Sequence, residues 1–505
     1  MPYTATRDIP YGNDAAAIFD GLAQSHDSLL LESADIETKK SLNCLAILRA
    51  ALKVTCHGHR VEVQVLTKAG ETLLPSLCDR FRQRVVSRET TTAVFEFSPS
   101  AQPDERKRLL AESTADILRF LQLEATYSSP LLPFLGGGFA YDYLATFEDL
   151  PEVKTGANTY PDYEFLIAQT VLEVNHLQGT ARIEGWDIDQ SRLNAELDSL
   201  AARQEAPRPT APQKDKIRAV ADTDDAAFRA GVEKLQRNIH AGDIYQVVPA
   251  RSFTLECPNA LAAYRALRET NPSPYMFYVR GDGYELFGAS PESNLRFTPE
   301  DRQVQLYPIA GTRPRGLRRD GSINHELDIR NELEMRTDQK EIAEHTMLVD
   351  LARNDLARVA VPRSRQVAEL LQVDRYSRVM HLVSRVTATL HPDFDALDAY
   401  RACMNMGTLT GAPKLRATEL VRRTEGTRRG SYGGAVGYLR GDGAMDNCIV
   451  IRSAYVQDGT AVVQAGAGVV KDSVPQAEAD ETVHKAYAVL NAIAVAHGAE
   501  LEVQR

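Results

Sequence analysis

The residues most able to do chemistry lie on segments that otherwise have core-forming patterns. One of them, DQKEIAEHTMLVDLARNDLARV (338–359), predicts a helix with an apolar side. Glu341 and His345 fall near the centre of that side, and Glu344 falls near its edge. Carboxylates that face a core indicate a metal site or an acid–base role, with a buried ion pair as the alternative. The spacing does not choose between Glu341 and Glu344.

A single arginine interrupts a second segment of this kind. DNCIVIRSAYV (446–456) predicts a strand by its composition, in which Val450, Arg452 and Ala454 share one face. A buried guanidinium without an anion is strongly unfavourable. Arg452 therefore needs either an internal salt bridge or an anionic ligand.

A third segment joins a predicted strand to a helix that begins near Pro475. The junction contains Gly466-Ala467-Gly468, and glycines there let backbone amides approach an anion, although a structural turn explains them nearly as well. In the helix, Glu481 lies off the apolar stripe and four residues before Lys485. That spacing is typical of a solvated ion pair.

These segments belong to a chain with two unlike halves. Residues 203–216, RQEAPRPTAPQKDK, combine three prolines with many charges and predict a linker. Before it, short apolar stretches alternate with turns and predict a sheet-rich region; after it, helices alternate with apolar strands. At 505 residues the chain is too long for one core, so we expect two or three domains.

The totals disfavour several classes of protein. A formal net charge of -11 favours neither nucleic acid nor an anionic membrane as a partner. No apolar run reaches spanning length, and the first residues lack the features of a signal peptide. The cysteines are scattered at positions 44, 56, 78, 257, 403 and 448, without a C-x-x-C pair. We therefore expect free thiols and a cytoplasmic enzyme.

The motifs together resemble those of the large, chorismate-binding subunit of the anthranilate synthases, a family of chorismate-utilising enzymes. In order, over nearly the whole chain, they are LLESADI, GDIYQVVPAR, NPSPYMF, FGASPES, PIAGTRPRG, ELEMRTDQKEIAEHTMLVDLARNDLARV, VDRYSRVMHLVSRV, MNMGTLTGAPK, RRGSYGGAVGY, CIVIRS and QAGAGVVKDSVPQAEADET. One departure is Thr410 in GTLTGAPK, where serine is expected in close relatives; both are hydroxyls.

The resemblance implies an α+β fold in which antiparallel sheets pack together and are flanked by helices. It implies an N-terminal regulatory domain, residues 1–210, and a C-terminal chorismate-binding catalytic domain, residues 211–505. The implied activity is that of a Mg²⁺-dependent lyase, which converts chorismate and ammonia to anthranilate and pyruvate. This reaction is the first committed step of L-tryptophan biosynthesis.

The resemblance also implies roles for individual residues. Glu344 and Glu481 are the implied ligands of Mg²⁺, which suits hard oxygen donors. Glu292 is implied to protonate the departing ring hydroxyl, with His381 and Thr408 as further catalytic groups. The residues implied to bind the substrate are Gly311, Thr312, Tyr432, Arg452, Gly466, Ala467, Gly468 and Lys485.

Two positions bear on which group attacks chorismate. Family members that add water carry a lysine where this chain has Gln246, and aminodeoxychorismate synthases carry one where it has Ala310. Lysine in such a pocket can act as base or nucleophile. Because this chain has neither of these two lysines, free ammonia is the implied attacking species. Arg313 and Arg315, in the same predicted turn as Ala310, are expected to brace it.

The ammonia must come from elsewhere, since no cysteine lies in the G-x-C-x-G setting of a glutaminase nucleophile. We therefore expect a separate glutamine amidotransferase subunit, anthranilate synthase component II, in a heterotetramer of two large and two small subunits. The alternatives are an aminodeoxychorismate or aminodeoxyisochorismate synthase, and an inactive relative kept for amino-acid binding or scaffolding.

A regulatory site is implied by two further stretches. Ser33 ends the predicted strand in DSLLLES, and NPSPYMF offers Pro274, Tyr275 and Met276. A strand end and a packing loop would explain these residue types. The resemblance, however, implies that they form an allosteric pocket for L-tryptophan, the feedback inhibitor of tryptophan-sensitive bacterial members.

Overall fold

The computed structural model of the chain describes residues 2–34, 41–203, 212–318, 322–376 and 379–505. The predicted domain boundary between residues 210 and 211, and most of the predicted linker, lie outside the described residues. None of the described helices is long and apolar enough to cross a membrane.

The strands and helices follow in chain order. The strands are β1 (Tyr3–Ile9), β2 (Ser28–Ala34), β3 (Ser41–His57), β4 (Arg60–Val65), β5 (Val85–Arg88), β6 (Thr92–Glu96), β7 (Phe134–Phe139), β8 (Tyr163–Asn175), β9 (Thr180–Asp187), β10 (Lys216–Ala221), β11 (Gln246–Val247), β12 (Ala250–Glu256), β13 (Tyr275–Arg280), β14 (Tyr284–Ser290), β15 (Ser293–Thr298), β16 (Gln303–Leu306), β17 (Ile309–Pro314), β18 (Gln366–Arg375), β19 (Val379–Thr389), β20 (Gly411–Ala412), β21 (Ala435–Arg440), β22 (Met445–Ile449), β23 (Ser453–Gln457), β24 (Thr460–Gly466) and β25 (Glu500–Gln504).

The α-helices are α1 (Ala15–Leu22), α2 (Leu73–Arg80), α3 (Glu105–Leu110), α4 (Ala115–Leu123), α5 (Gln190–Ala201), α6 (Asp225–His240), α7 (Ala260–Thr270), α8 (His325–Thr337), α9 (Gln339–Ala357), α10 (Ala396–Cys403), α11 (Gly407–Thr410), α12 (Lys414–Glu425) and α13 (Pro475–Ala496). Short 3-10 helices span Gly70–Thr72 and Tyr141–Thr146.

Two arms of antiparallel strands extend from the long pair β3–β8. The first arm runs β3–β2–β13–β14–β23–β24–β12–β10, and β25 adds to β10 in parallel. The second arm runs β8–β7–β21–β22–β15–β16–β19, with β17 and β18 also paired to β19. Each arm thus contains strands from both sides of the predicted linker.

Apolar side chains of the two arms pack against each other. One cluster joins Leu29 and Phe277 of the first arm to Phe134 and Val436 of the second. Helices α1, α5, α7 and α13 cover the first arm, and α2, α4, α9 and α10 cover the second. The predicted α+β fold of packed antiparallel sheets flanked by helices is confirmed. The division into domains at residue 210 stays a prediction.

The chain passes between the two arms at two adjacent places. Residues 291–292 connect β14 of the first arm to β15 of the second, and residues 450–452 connect β22 back to β23. The Ile449 N–H donates to the Glu292 carbonyl at 3.0 Å, and the Ala289 N–H donates to the Arg452 carbonyl at 3.0 Å. The two crossovers therefore lie side by side.

This arrangement corrects two local predictions. The predicted strand over 446–456 is two strands, and Arg452 lies between them with a positive φ of 49°. The predicted turn that contains Ala310 is instead a bulge within β17, where the pairing with β19 shifts by one residue between Ala310 and Thr312. Gly311 has a φ of 86° there, a conformation that favours glycine.

Candidate active site

A cavity of about 500 Å³ lies where the two crossovers meet α9, α11, α13 and the bulge in β17. Nearly all predicted site residues line it: Glu292, Gly311, Thr312, Glu344, His381, Thr408, Tyr432, Arg452, Gly466, Gly468, Glu481 and Lys485. Ala467 is fully buried between its two glycine neighbours and does not line the cavity. Residues that lie between positions 292 and 485 of the sequence are thereby brought into one site.

The structure distinguishes the two carboxylates of α9 that the sequence could not. Glu341 accepts a hydrogen bond from Arg313 at 2.7 Å, so its charge has a protein partner. Among the described residues, Glu344 accepts a hydrogen bond only from the neutral amide of Gln246, at 2.9 Å. Burial, followed by the charge of Glu341, raises the pKa of Glu344. Glu344 is thus the carboxylate of the two that is left for a cation.

Helix α13 supplies two more carboxylates, one of which the sequence analysis missed. Glu481 forms an ion pair with Lys485 at 2.5 Å, and Lys485 also donates to the Gly466 carbonyl at 3.1 Å. Glu478, one turn earlier, is 5% exposed, and its Oε2 has no hydrogen-bond partner. Burial raises the pKa of Glu478. Its spacing of three residues from Glu481 is the signal that could have indicated it.

These carboxylates fit a cation that keeps some of its water. Within the described residues, no three His, Cys, Asp or Glu side chains are grouped as a complete metal cage. Glu344 and Glu481 face the same cavity, and the buried Oε2 of Glu478 lacks a partner beside them. Mg²⁺ is usually held by one or two carboxylates together with water and substrate oxygens. The donor set therefore suits Mg²⁺.

Two arginines near the cavity differ in how they are satisfied. Arg429 is buried and donates to both oxygens of Glu425 and to the carbonyls of Leu409 and Val248. Among the described residues, no carboxylate forms an ion pair with Arg452, which lines the cavity. A guanidinium held in a cavity without an anion is a receptor for an anionic ligand. The internal salt bridge considered for Arg452 is therefore absent from the described part of the chain.

Glu292, on the other crossover, is held in its protonated form. It is 5% exposed and accepts a hydrogen bond from the Thr408 hydroxyl at 3.1 Å. Burial raises its pKa to about 8, against the opposing effects of Thr408, Lys485 and Arg452. A carboxylic acid that stays neutral near pH 7 can donate a proton.

His381 faces the bulge in β17. Its Nδ1 lies 2.8 Å from the Thr312 hydroxyl, and its ring packs edge-on against Tyr376 with centroids 5.0 Å apart. Burial, together with the charge of Arg452, lowers the pKa of His381 to about 4. His381 is therefore a neutral imidazole in a cavity that several basic and several acidic groups line.

Comparison with known proteins decides the family. The sequence model of the chorismate-binding enzyme family matches residues 78–491. Anthranilate synthase component 1 of Vibrio cholerae is 50% identical over 97% of this chain and 96% of its own length. The same component of Escherichia coli K12 is 50% identical, again over 97% and 96%. The chain belongs to the anthranilate synthase component 1 family.

Solved structures share the fold of this chain. Component I from Streptococcus pneumoniae superimposes with a TM-score of 0.69 at 26% identity, covering 90% of this chain and 94% of that one. The menaquinone-specific isochorismate synthase of Escherichia coli gives a TM-score of 0.68 at 18% identity, covering 98% and 94%. The second likeness concerns the fold alone.

The loop arginines of this family member brace the cavity wall, as predicted. Arg313 binds Asp338 at 2.8 Å as well as Glu341, and so ties the bulge to the start of α9. Arg315 binds Asp328 through two hydrogen bonds of 2.8 and 3.1 Å. Both guanidinium groups are therefore engaged by protein carboxylates.

The cysteines of this chain do not form a nucleophilic site. All six are buried free thiols. Burial raises the pKa of each thiol, to about 12 for Cys257 and Cys403. A glutaminase nucleophile needs a lowered thiol pKa instead.

The four residues predicted to bind tryptophan are only partly brought together. Ser33 and Met276 line a separate cavity of about 200 Å³ at the ends of β2 and β13. Pro274 precedes β13 and is not among the residues that line it. Tyr275 lies on the opposite face of the strand, where its hydroxyl donates to Asp446 at 3.2 Å. The tryptophan site stays a prediction.

Proposed function

We propose that this chain is the catalytic subunit of an anthranilate synthase, which converts chorismate and ammonia to anthranilate, pyruvate and water. The observation that carries the proposal is the pairing of two groups on adjacent crossovers. Arg452 has no anionic partner among the described residues, and Glu292 beside it has a pKa of about 8. Chorismate, a dicarboxylate with a leaving hydroxyl, needs both a cation and an acid.

The chain's own residues can bind and orient such a substrate. Arg452 and the Tyr432 hydroxyl would receive a carboxylate, and the bulge at Gly311-Thr312 offers a backbone amide and a hydroxyl. Gly468 borders the same space, where an added Cβ would lie 2.9 Å from the Gln246 amide nitrogen. These contacts would place the ring between Glu292 and the acidic face of α9 and α13.

Glu292 would give its proton to the C4 hydroxyl, which leaves as water while ammonia forms a bond to C2. The carboxylate left on Glu292 would be stabilised by the Thr408 hydrogen bond and by the charges of Lys485 and Arg452. Loss of the C2 proton then breaks the bond to the enolpyruvyl oxygen. The departing enolpyruvate takes up a proton, in balance with the one lost from C2, to become pyruvate, and the ring becomes aromatic.

Glu344 and Glu481 would hold Mg²⁺, with Glu478 close by. When bound, the ion would supply a Lewis acid that withdraws charge from the ring carboxylate of chorismate. The orphaned Glu478 oxygen and the absence of an ion-pair partner for Glu344 among the described residues support this assignment.

The ammonia would come from a second subunit, a glutamine amidotransferase. The relatives are named as component 1 of their enzyme, and none of the buried thiols of this chain has a lowered pKa. We further propose that L-tryptophan inhibits the enzyme from the cavity beside Ser33 and Met276, and that two large and two small subunits assemble.

An aminodeoxychorismate synthase is the competing enzyme, since it would use the same cavity. The side chains at the two deciding positions, Ala310 and Gln246, favour direct use of ammonia. The test is product analysis with purified chain, chorismate, Mg²⁺ and ammonium. Fluorescent anthranilate with one pyruvate per turnover supports the proposal. An amino-cyclohexadiene that keeps its enolpyruvyl group, or no turnover, contradicts it.

A further inference from the structure

Behind the bulge in β17 lies a buried histidine that the reaction does not use. His345 is 0% exposed and follows Glu344 on α9. Its Nδ1 lies 3.2 Å from the carbonyl oxygen of Ala310, and its Nε2 lies 2.6 Å from the Ser384 hydroxyl on β19. One side chain thus joins a helix to two strands at the back of the cavity wall.

The hydrogen-bond chemistry fixes where the proton of this ring lies. The Ala310 carbonyl can only accept, so Nδ1 must carry the hydrogen. With that hydrogen on Nδ1, Nε2 accepts a hydrogen bond from the Ser384 hydroxyl. The same hydroxyl oxygen accepts the Leu371 N–H at 3.0 Å. The donors of these three hydrogen bonds therefore all point the same way: Leu371 donates to Ser384, Ser384 to His345, and His345 to Ala310.

These hydrogen bonds end at an irregular position in β17. Ala310 precedes Gly311, whose φ is 86°, and the pairing of β17 with β19 is interrupted there. A bulge has lost part of its strand pairing, so another contact must hold it. The bulge also presents Thr312 to His381 at 2.8 Å.

We propose that His345 is a positioning residue, which holds the Ala310–Gly311–Thr312 bulge in the conformation that receives the substrate. This inference rests on the proposed function of the cavity. His345 would then affect substrate binding through the hydrogen bond that its Nδ1–H donates to Ala310, and not only through the packing of its ring.

Two variants of His345 distinguish the loss of its Nδ1–H donor from the loss of its side-chain volume. The amide of His345→Asn lies near the position of Nδ1 and can still donate to Ala310, but the shorter side chain leaves a void. The amide of His345→Gln lies near the position of Nε2, reaches Ser384 and fills more of the space. If packing alone mattered, Gln would be the better replacement for both stability and activity.

The experiment measures the melting temperature, kcat and both KM values for the wild type and the two variants, with ammonium as nitrogen source. We expect His345→Gln to raise the KM for chorismate about tenfold, as for one lost hydrogen bond. We expect His345→Asn to raise it less than about threefold, although its melting temperature is the lower of the two. The KM for ammonium should change little in both.

A higher chorismate KM for Asn than for Gln would overturn the proposal. If both variants fail to fold, the test is Ser384→Ala, which keeps the ring but removes the hydrogen bond that orients its Nδ1–H toward Ala310. An unchanged chorismate KM in that variant would also overturn it. A wild-type chain without chorismate turnover would instead contradict the proposed function, so the two failures are distinguishable.

Discussion

Replacing Glu292 by glutamine should make the folded protein more resistant to alkaline pH. The carboxyl is 5% exposed, and burial raises its pKa from 4.5 to about 8. A raised pKa means that the folded state binds the proton more tightly than the unfolded state does. The stability from this group is therefore fully present below about pH 4.5 and is lost as the pH rises to about 8. Glutamine cannot ionise and avoids that loss.

The magnitude follows from the pKa difference. A change from 4.5 to about 8 corresponds to roughly 5 kcal/mol in total. Of this, about 3 kcal/mol falls between about pH 5.5 and pH 9, where the protein can be handled. Glu292→Gln should therefore gain about 3 kcal/mol relative to wild type over that interval.

The assay is urea unfolding of both proteins at the two pH values under reversible conditions. Glu300 is exposed, so Glu300→Gln is the matched control, and its free energy of unfolding should equal that of the wild type at both pH values. A Glu292→Gln advantage that changes by less than about 0.5 kcal/mol between the two pH values would refute the raised pKa. Turnover should also be lost in Glu292→Gln, and the wild-type rate per free ammonia should fall above about pH 8 as the acid form disappears.

Three further predictions concern the metal, the nitrogen source and regulation. Glu344→Ala or Glu481→Ala should reduce turnover by at least about a thousandfold with unchanged circular dichroism, since each removes a proposed Mg²⁺ ligand; near-normal activity of Glu344→Ala in excess chelator would contradict the assignment. The isolated chain should use ammonium at raised pH and fail with glutamine, and glutamine-driven turnover by this chain alone would disprove the need for an amidotransferase subunit. Ser33→Leu should relieve tryptophan inhibition with little change in uninhibited rate, because the two ligands would favour different conformations; full sensitivity in a titration of that variant would place the inhibitor elsewhere.

The helices that carry the site could be predicted because their periodicity is local. The apolar side expected for α9 is buried at Leu348, Val349, Ala352 and Leu356, and that of α13 at Ala486, Leu490 and Ile493. Each such stripe needs only the residues of its own helix to be recognised.

The choice between Glu341 and Glu344 could not be predicted, because it depends on a contact across the sequence. Arg313, 28 residues before Glu341, neutralises that carboxylate and leaves Glu344 to the cavity. The same limit applies to Arg452. The composition of residues 446–456 predicts one strand, yet the chain passes from one arm to the other at Arg452. This crossover is evident only from the pairing of β22 and β23 with strands that are distant in the sequence.

The interleaving of the two arms has a consequence for synthesis on the ribosome. Strand β2 needs β13, and β7 needs β21, whose Leu439 pairs with Leu135 about 300 residues earlier. At a typical elongation rate this partner emerges roughly fifteen to sixty seconds later. Until then the edges of β2 and β7 expose unpaired N–H and C=O groups, which are templates for aggregation. The nascent chain should therefore depend on chaperones, and an isolated fragment from residue 212 onward should be insoluble.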